Sequence, residues 1–390
     1  MVVGSPARVL IAFALVASTY GASHAIHRHT PPVVRVTQSG DFTLPRLPVF
    51  GQTLLVSVGN PGARNIFGIR VRDLDLGLSL EPLSSGGDNT NPIGGRGTRL
   101  FAWDTTGSPY PGRQLELRST FSNFPAFFND PTGTSTNPSV SRKASAIAWE
   151  SRGDLAGTGM NSGRQIFFLR RSDPRVQQLS RGRGESRNPA LGGNDGVVAF
   201  DSTSDPVTGA DTGMPQLWLS RTDDGSSAPV TAGQGASEFP SMSQDSRVIV
   251  FQSRAALDGD GHDTGVPQVF AYDAFGVTFA RLTSNPAGCT LPSVRSAGGD
   301  FRIAYMCGGR AYYTQLRTGE QFVLPIVGGD TTRVVSELGT FFLMVSTTSN
   351  LLGTGVTPGH QLYLWNLYKR PALSIPSAVN WFPRRGLEEF

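Results

Sequence analysis

The chain has 390 residues and a formal charge of +4; 38% of its residues are hydrophobic and only 16% are charged. Glycine (47) and proline (27) fill nearly a fifth of it without a collagen-like or low-complexity period, which excludes a fibrous or disordered chain and favours many short strands over long helices. The basic residues are almost all arginine, with Lys143 and Lys369 the only lysines, and no aromatic–basic recognition motif accompanies them, so nucleic acid is not an expected partner.

In chain order, Arg8 is followed by the apolar run "VLIAFALVAS", too short to span a bilayer, and then by the small residues Ser23 and Ala25. Residues 1–25 read as a secretory signal cut after Ala25, which implies an exported protein, periplasmic or extracellular. No later stretch reaches the ~18 apolar residues of a membrane helix, so no membrane span is expected. Residues 33–40, "VVRVTQSG", read as an isolated strand whose partner must come from elsewhere in the chain.

From there a single unit recurs. "SAIAWESRGDLAGTGMNSGRQIFFLRR", "GVVAFDSTSDPVTGADTGMPQLWLSR" and "RVIVFQSRAALDGDGHDTGVPQVFAYD" share one order: an apolar strand ending in an aromatic, a Gly- and Asp-dotted loop, a Gln, and a second strand. The Gln recurs at Gln114, Gln165, Gln216, Gln268 and Gln361, with Asn65 and Ala311 filling the remaining slots, at a mean spacing of about 49 residues. The aromatic recurs at Trp103, Trp149, Phe200, Phe251 and Tyr305, usually followed by an acid or amide and then Ser or Thr. A proline opens most units, as in "NPIGG", "NPSVS", "NPALG", "FPSMS" and "LPSVR".

Each unit therefore reads as four short antiparallel strands, A to D. Such a sheet cannot bury both faces alone, whereas radial stacking covers the faces and protects most edges. The seventh unit ends near "HQLYLWNLYK" without a D strand, and residues 33–40 match that missing piece. The expected fold is all-β: a seven-bladed β-propeller over residues 26–370, closed by residues 33–40, with 371–390 as a tail. Six blades is the alternative count, because the first unit is the most degraded.

At "NPSVSRKASAIAWESR", "GRQIFFLRRSD" and "VQQLSRG" the sequence resembles the WD-like propeller repeats of the TolB type, whose unit has a Pro-opening strand followed by Ile-Ala-Phe-like, Ile-Tyr-like and Arg-Leu-Thr-like strands. The resemblance covers about residues 33–370 and extends to the propeller part of that family only. It implies propeller architecture and an exported location; propellers of this kind mostly look like binding platforms, while some look like domains of peptidases or polysaccharide lyases.

In a four-stranded antiparallel blade the B–C and D–A connections leave on one face, and these are the long ones here, so function is expected on that face and at the channel mouth. The B–C loop "LDGDGHDTG" brings Asp258, Asp260 and Asp263 within six residues, a set of oxygen donors compatible with Ca²⁺ but without EF-hand spacing; the other reading is a solvated polar turn. His262 reads as a surface residue. Cys289 and Cys307 flank a hairpin turning at Gly298, which sets them opposite each other as a disulfide pair; two free buried thiols is the other reading. The recurring Gln residues read as satisfying loose backbone groups rather than as a ligand ring, and the aromatics as interblade core.

The stretch "RRSDPRVQQLSRGRGESR" is either a charged protective edge or a patch for an anionic partner. His27, His29, His262 and His360 form no metal-type pair within a strand, and neither a G-x-S-x-G elbow nor a phosphate loop occurs, so no catalytic residue is assigned. The function expected is that of a monomeric scaffold binding a protein, peptide or glycan; the alternative is a carbohydrate-active lyase or hydrolase with carboxylates around the channel. Two or more convergent acids with a His or Arg in reach would favour the enzyme.

Overall fold

The computed structural model describes residues 33–35, 53–70, 80–95, 100–119, 127–128, 130, 133–159, 162–259, 263–297, 300–326, 331–337, 342–352, 359–366 and 373–375. Every regular element among them is a β-strand, and the strands form seven antiparallel sheets in sequence order. Sheet I holds Thr53–Val58, Asn65–Arg70 and Leu80–Pro82. Sheet II holds Asn89–Gly94, Leu100–Thr105, Gln114–Ser119 and Phe127–Phe128. Sheet III holds Ser135–Val140, Ala146–Ser151, Gln165–Arg170 and Asp173–Gln178.

Sheet IV comprises Ser186–Leu191, Val197–Ser204, Asp211–Arg221 and Ser227–Pro229, and sheet V comprises Ser237–Met242, Val248–Ala255, Asp263–Asp273 and Thr278–Arg281. Sheet VI runs Cys289–Ala297, Asp300–Cys307, Arg310–Gln315, Gln321–Val323 and then Leu373–Ile375. Sheet VII runs Thr331–Glu337, Phe342–Thr347 and Gln361–Asn366, and its outer strand is Val33–Arg35 from the other end of the chain, with Val33 opposite Trp365. The repeat phase read from Gln114, Gln165, Gln216, Gln268, Ala311 and Gln361 thus coincides with the third strand of sheets II to VII, and Asn65 opens the middle strand of sheet I, which has three strands among the described residues. Residues 36–40 of the expected closing strand, like the leader over 1–25, lie outside the described residues.

The sheets are held by their faces. Trp103, Trp149, Phe200 and Phe251 are fully buried and Tyr305 nearly so. Each lies in a cluster with the sheet before it: Trp103 with Leu55 and Ile66, Trp149 with Leu115 and Leu117, Phe200 with Ala148 and Ile166. Phe251 joins Ala199 and Leu217, Tyr305 joins Val250 and Val269, and Tyr363 and Trp365 join Ala304 and Tyr313. Every sheet from II to VII is therefore glued to its predecessor by an aromatic of about the largest burial a side chain offers. The first strands of successive sheets from II to VII also touch one another. They converge on one side, which puts the fourth strands on the outside.

The recurrent proline does not open its strand; it sits in the middle, at a β-bulge. The A–B register shifts between Thr90 and Ile93, Arg187 and Ala190, Glu238 and Ser241, and Thr290 and Ser293, and opposite Asn137–Pro138 in sheet III. A bulge leaves one residue out of the ladder, so a residue without an N–H is tolerated there. The residue before each proline takes a left-handed backbone: Asn91 (φ 50°), Asn137 (54°), Asn188 (54°), Phe239 (54°) and Leu291 (53°). Asn adopts this conformation readily; Phe and Leu do so only against strain.

Cys289 and Cys307 form a disulfide, with Cα atoms 4.2 Å apart, and are directly paired across sheet VI. The hairpin turns half a residue later than Gly298, since Ala297 opposes Asp300, and the bulge after Thr290 restores the cysteines to register. Within the tail, Leu373–Ile375 pairs with Gln321–Val323 as a fifth strand and covers the outer edge of sheet VI.

Candidate functional site

The face carrying the B–C and D–A connections is built by the repeated Gln. Gln165 Nε2 donates to the Gly182 and Gly184 carbonyls at 3.1 and 3.2 Å, and its Oε1 accepts from Ser180 Oγ at 2.8 Å. Ser180 Oγ in turn accepts the Ile166 N–H at 2.8 Å. Gln216 repeats this with Gly233, Gly235 and Thr231, and Gln268 with Asn285 and Thr283. In sheet II, Gln114 binds the Pro111, Asp130 and Gly133 carbonyls. All four amides are buried and spent on backbone carbonyls and neighbouring hydroxyls, so they staple the D–A connection and present no ring to a ligand. Gln165→Ala is expected to lower stability by about 1–3 kcal/mol, because buried carbonyls lose their donor; urea unfolding checks it.

The acid or amide after each aromatic has a similar use. Glu150 Oε1 accepts the Asn188 N–H of sheet IV at 2.8 Å, Asp201 Oδ2 the Phe239 N–H of sheet V at 3.1 Å, and Gln252 Oε1 the Leu291 N–H of sheet VI at 3.1 Å. Each clamps the left-handed residue of the following sheet. The hydroxyl residue after it pairs with the first residue of its own sheet, as in Ser135–Ser151, Ser186–Ser202, Ser237–Ser253 and Thr331–Thr347. The sequence displays both positions as a repeated pattern, but their partners lie about 38 residues onward or across a sheet.

The acids are not treated alike. In sheet III, Arg164 Nη1 reaches Glu150 Oε2 at 2.8 Å, and in sheet II Arg113 Nη1 lies 3.4 Å from Asp104 Oδ2. Arg64 and Arg113 also bracket Asp88, at 2.7 Å each, and hold its carboxyl far below the usual range. Burial pushes the Asp104 carboxyl up, against the pull of Arg113. In sheet IV the residue before Gln216 is Pro215 where sheets II and III have arginine. Asp201, 3% exposed, is raised to about 7 by burial, with the charges of Glu150 and Glu238 adding to it and the bonds from Asn188 Nδ2 (2.8 Å) and Phe239 opposing it. Carboxylates of three neighbouring sheets do converge, with an arginine in reach, but Glu150 has both oxygens engaged within the protein.

The acidic B–C loop is only partly described: Asp260 and His262 lie outside the described residues. Asp263 is not in a curled loop but begins a long strand, opposite Ala255. It lies 3.3 Å from Arg254 Nε, and Asp258 lies 3.9 Å from Arg281 Nη1. Among the described residues no three metal-ligating side chains gather. Two guanidinium groups already answer these two carboxylates, so millimolar Ca²⁺ is expected to leave the melting temperature unchanged within about 1 °C, read by scanning calorimetry with and without chelator.

A cleft of about 400 Å³ opens between sheets III and IV, lined by Thr158 and Val207 from the B–C connections, Gln177 and Gln178 from an outer strand, Arg181 from a D–A connection, and Asp224 and Ser226 from the C–D turn of sheet IV, where Asp224 lies 3.8 Å from Arg221 Nε. Hydroxyls and amides dominate its wall, and Val207, 64% exposed, stands at its rim. Sequence reasoning named the face but not this place, because the lining comes from four separated segments.

No protein-family model matches the chain, and no curated protein matches it in sequence. Solved structures do match. An oligogalacturonate lyase from Vibrio parahaemolyticus aligns at TM-score 0.56 and 10% identity, over 86% of this chain and 93% of that one. The β-propeller domain of Cps50 (Swd1) from Myceliophteria thermophila aligns at 0.53 and 9%, over 86% and 99%. TolB from Acinetobacter baumannii aligns at 0.43 and 13%, over 80% and 79%, too weakly to carry an argument for a TolB-type role. At these identities the likeness establishes the fold and nothing finer: the chain is a β-propeller.

Proposed function

We propose that the protein is an exported, monomeric, seven-bladed β-propeller that serves as a binding platform, holding a glycan, peptide or protein on its long-connection face. The observation that carries the binding reading is the polar cleft between sheets III and IV, which is of ligand size and reaches the long-connection face at Thr158, Arg181 and Val207. Glycan and peptide arrays probed with the wild-type protein test it. Capture that is lost in Val207→Trp, which narrows the rim without touching the core, supports the reading; capture unchanged by that variant sinks it.

Closure of seven blades is supported by the aromatic contacts linking each consecutive pair of sheets and by Val33–Arg35 completing sheet VII. Export is supported by the disulfide, which persists in oxidising compartments. The exported protein is expected to begin at Ile26 and to lack two thiol hydrogens, both readable from one intact-mass spectrum of the unreduced sample.

One observation favours the second reading, a carbohydrate-active lyase or hydrolase. The carboxylates of Glu150, Asp201 and Glu238, from three neighbouring sheets, act on one another, and Arg164 reaches Glu150 at 2.8 Å, the convergence of acids and an arginine that such chemistry calls for. The lyase likeness adds only fold. Bond cleavage in an oligosaccharide panel that disappears in Asp201→Asn would establish this reading; a panel left uncut by the wild-type protein rejects it.

A further inference from the structure

The arginine-rich stretch of the third repeat is not one surface. Arg170, at the end of its strand, is used between sheets, donating to the Asp195 carbonyl and to Thr222. Arg175 on the outer strand pairs with Asp173 at 2.7 Å. The remainder, "SRGRGESR" over Ser180–Arg187, is the D–A connection and the start of the strand it leads into, and that connection has to travel from the outermost strand of sheet III to the innermost strand of sheet IV. It therefore crosses the long-connection face radially.

Its side chains alternate. Gly182 and Ser186 are buried, while Arg181, Arg183 and Arg187 are exposed. The glycines are required on the inward side: a Cβ on Gly182 would stand 2.8 Å from Ser204 Cβ, and one on Gly184 would stand 2.3 Å from Thr203 Oγ1. Packing of the glycines on sheet IV thus drives every second residue outward, and three of those four residues are arginine. Arg181 and Arg183 have no hydrogen bond or ion pair among the described residues, and Arg181 also lines the cleft. Further inward, Glu185 is gripped by Arg152 Nη2 at 2.6 Å and Arg187 Nη2 at 3.3 Å, with Arg164 Nε at 3.8 Å. This carboxylate shows that the stripe accepts an acid group between guanidinium forks.

We propose that this stripe and the adjoining cleft bind an acidic saccharide, with sugar hydroxyls meeting Thr158, Gln177 and Ser226 and sugar carboxylates meeting Arg181 and Arg183. The assignment rests on the binding-platform reading and narrows it to a ligand class. A saccharide fits better than an acidic peptide because the neighbouring strand edges are blunted. The outer strand of sheet III carries Pro174 and a charged pair, and that of sheet IV is three residues long and ends in Pro229. Neither offers a run of free backbone groups for strand addition.

The test is binding of polygalacturonate, neutral dextran and poly-glutamate by isothermal titration at two salt concentrations. Polygalacturonate is expected to bind, to weaken as salt rises, and to lose at least tenfold in affinity in Arg181→Ala/Arg183→Ala. That variant is expected to melt with the wild type, since both side chains are exposed and unpartnered. Dextran is expected not to bind, and poly-glutamate to bind at least tenfold more weakly. Poly-glutamate binding as tightly as polygalacturonate, or an unchanged affinity in the double variant, overturns the assignment. Failure to bind polygalacturonate, alongside array capture of another ligand that Val207→Trp abolishes, overturns the acidic saccharide and leaves the platform standing.

Discussion

Glu150→Ala is expected to destabilise the protein by about 2–4 kcal/mol, the cost of stranding several buried donors and one guanidinium at once. Glu150 is 2% exposed and accepts from Asn137 Nδ2 at 2.6 Å, the Asn188 N–H at 2.8 Å and Arg164 Nη1 at 2.8 Å. Two of those donors belong to strand bulges in successive sheets, so the loss falls on the joint between sheets III and IV and not on one strand. Arg164 keeps some solvent and its weaker contact with Glu185, which holds the expected cost below that of a wholly buried unpaired charge. Glu150→Gln retains one acceptor for the Asn188 N–H and is expected to cost less. Equilibrium unfolding at pH 7 distinguishes the two; equal effects would mean that the arginine pair, not the backbone clamp, carries the joint.

The same repeat position one sheet later is expected to answer with the opposite sign. Asp201→Asn should stabilise the protein by about 2 kcal/mol at pH 8 and by little at pH 4. The sign follows from the direction of the shift. The folded-state value of Asp201 is raised from 3.8 to about 7, chiefly by burial. A raised value means the folded state holds the proton more tightly than the unfolded chain. The contribution to stability is therefore complete below about pH 4 and lost as pH rises through 7. Asparagine cannot ionise, yet its carbonyl oxygen can still accept from Asn188 Nδ2 and the Phe239 N–H. The protein contains its own precedent, since Gln252 makes the corresponding bond to Leu291 in the next joint.

The charged groups around Asp201 bear on the size of this effect. Arg187 is its cross-strand neighbour but turns to Glu185, while Glu150 and Glu238 face it from the sheets on either side. Melting temperatures of wild type and variant across pH 4–9 should separate progressively between about pH 4 and 7, with the gap constant above that. Parallel profiles would show that Asp201 is ionised and compensated throughout.

These two residues mark how far the sequence could be read. An acid or amide after each strand aromatic is visible as a repeated pattern in "AWES", "AFDS" and "VFQS". Its chemistry is not visible, because Glu150 and Asp201 differ in what stands before the next Gln, Arg164 in one repeat and Pro215 in the other. They differ also in which charges the neighbouring sheets bring close. The recurrent proline was legible as a marker and misleading as a strand opener, since only the ladder reveals the bulge it occupies. The arginine stretch read as one edge; the folded chain divides it into an interblade tie, an outer pair and a radial stripe.

What the sequence determined alone was the period, the identity of the repeating strands, the placing of the two cysteines opposite each other and the debt owed by the first strand to the last sheet. These follow from residues recurring at fixed separations, and local chemistry at fixed spacing is readable without coordinates. The tertiary structure alone decided the fifth strand at Leu373–Ile375, the cleft between sheets III and IV, the clamps on the left-handed residues and the outward arginines of Ser180–Arg187. Each of these depends on segments tens or hundreds of residues apart meeting in one place. Closing a loop across such separations is a property of the whole stacked assembly and leaves no trace in any one repeat.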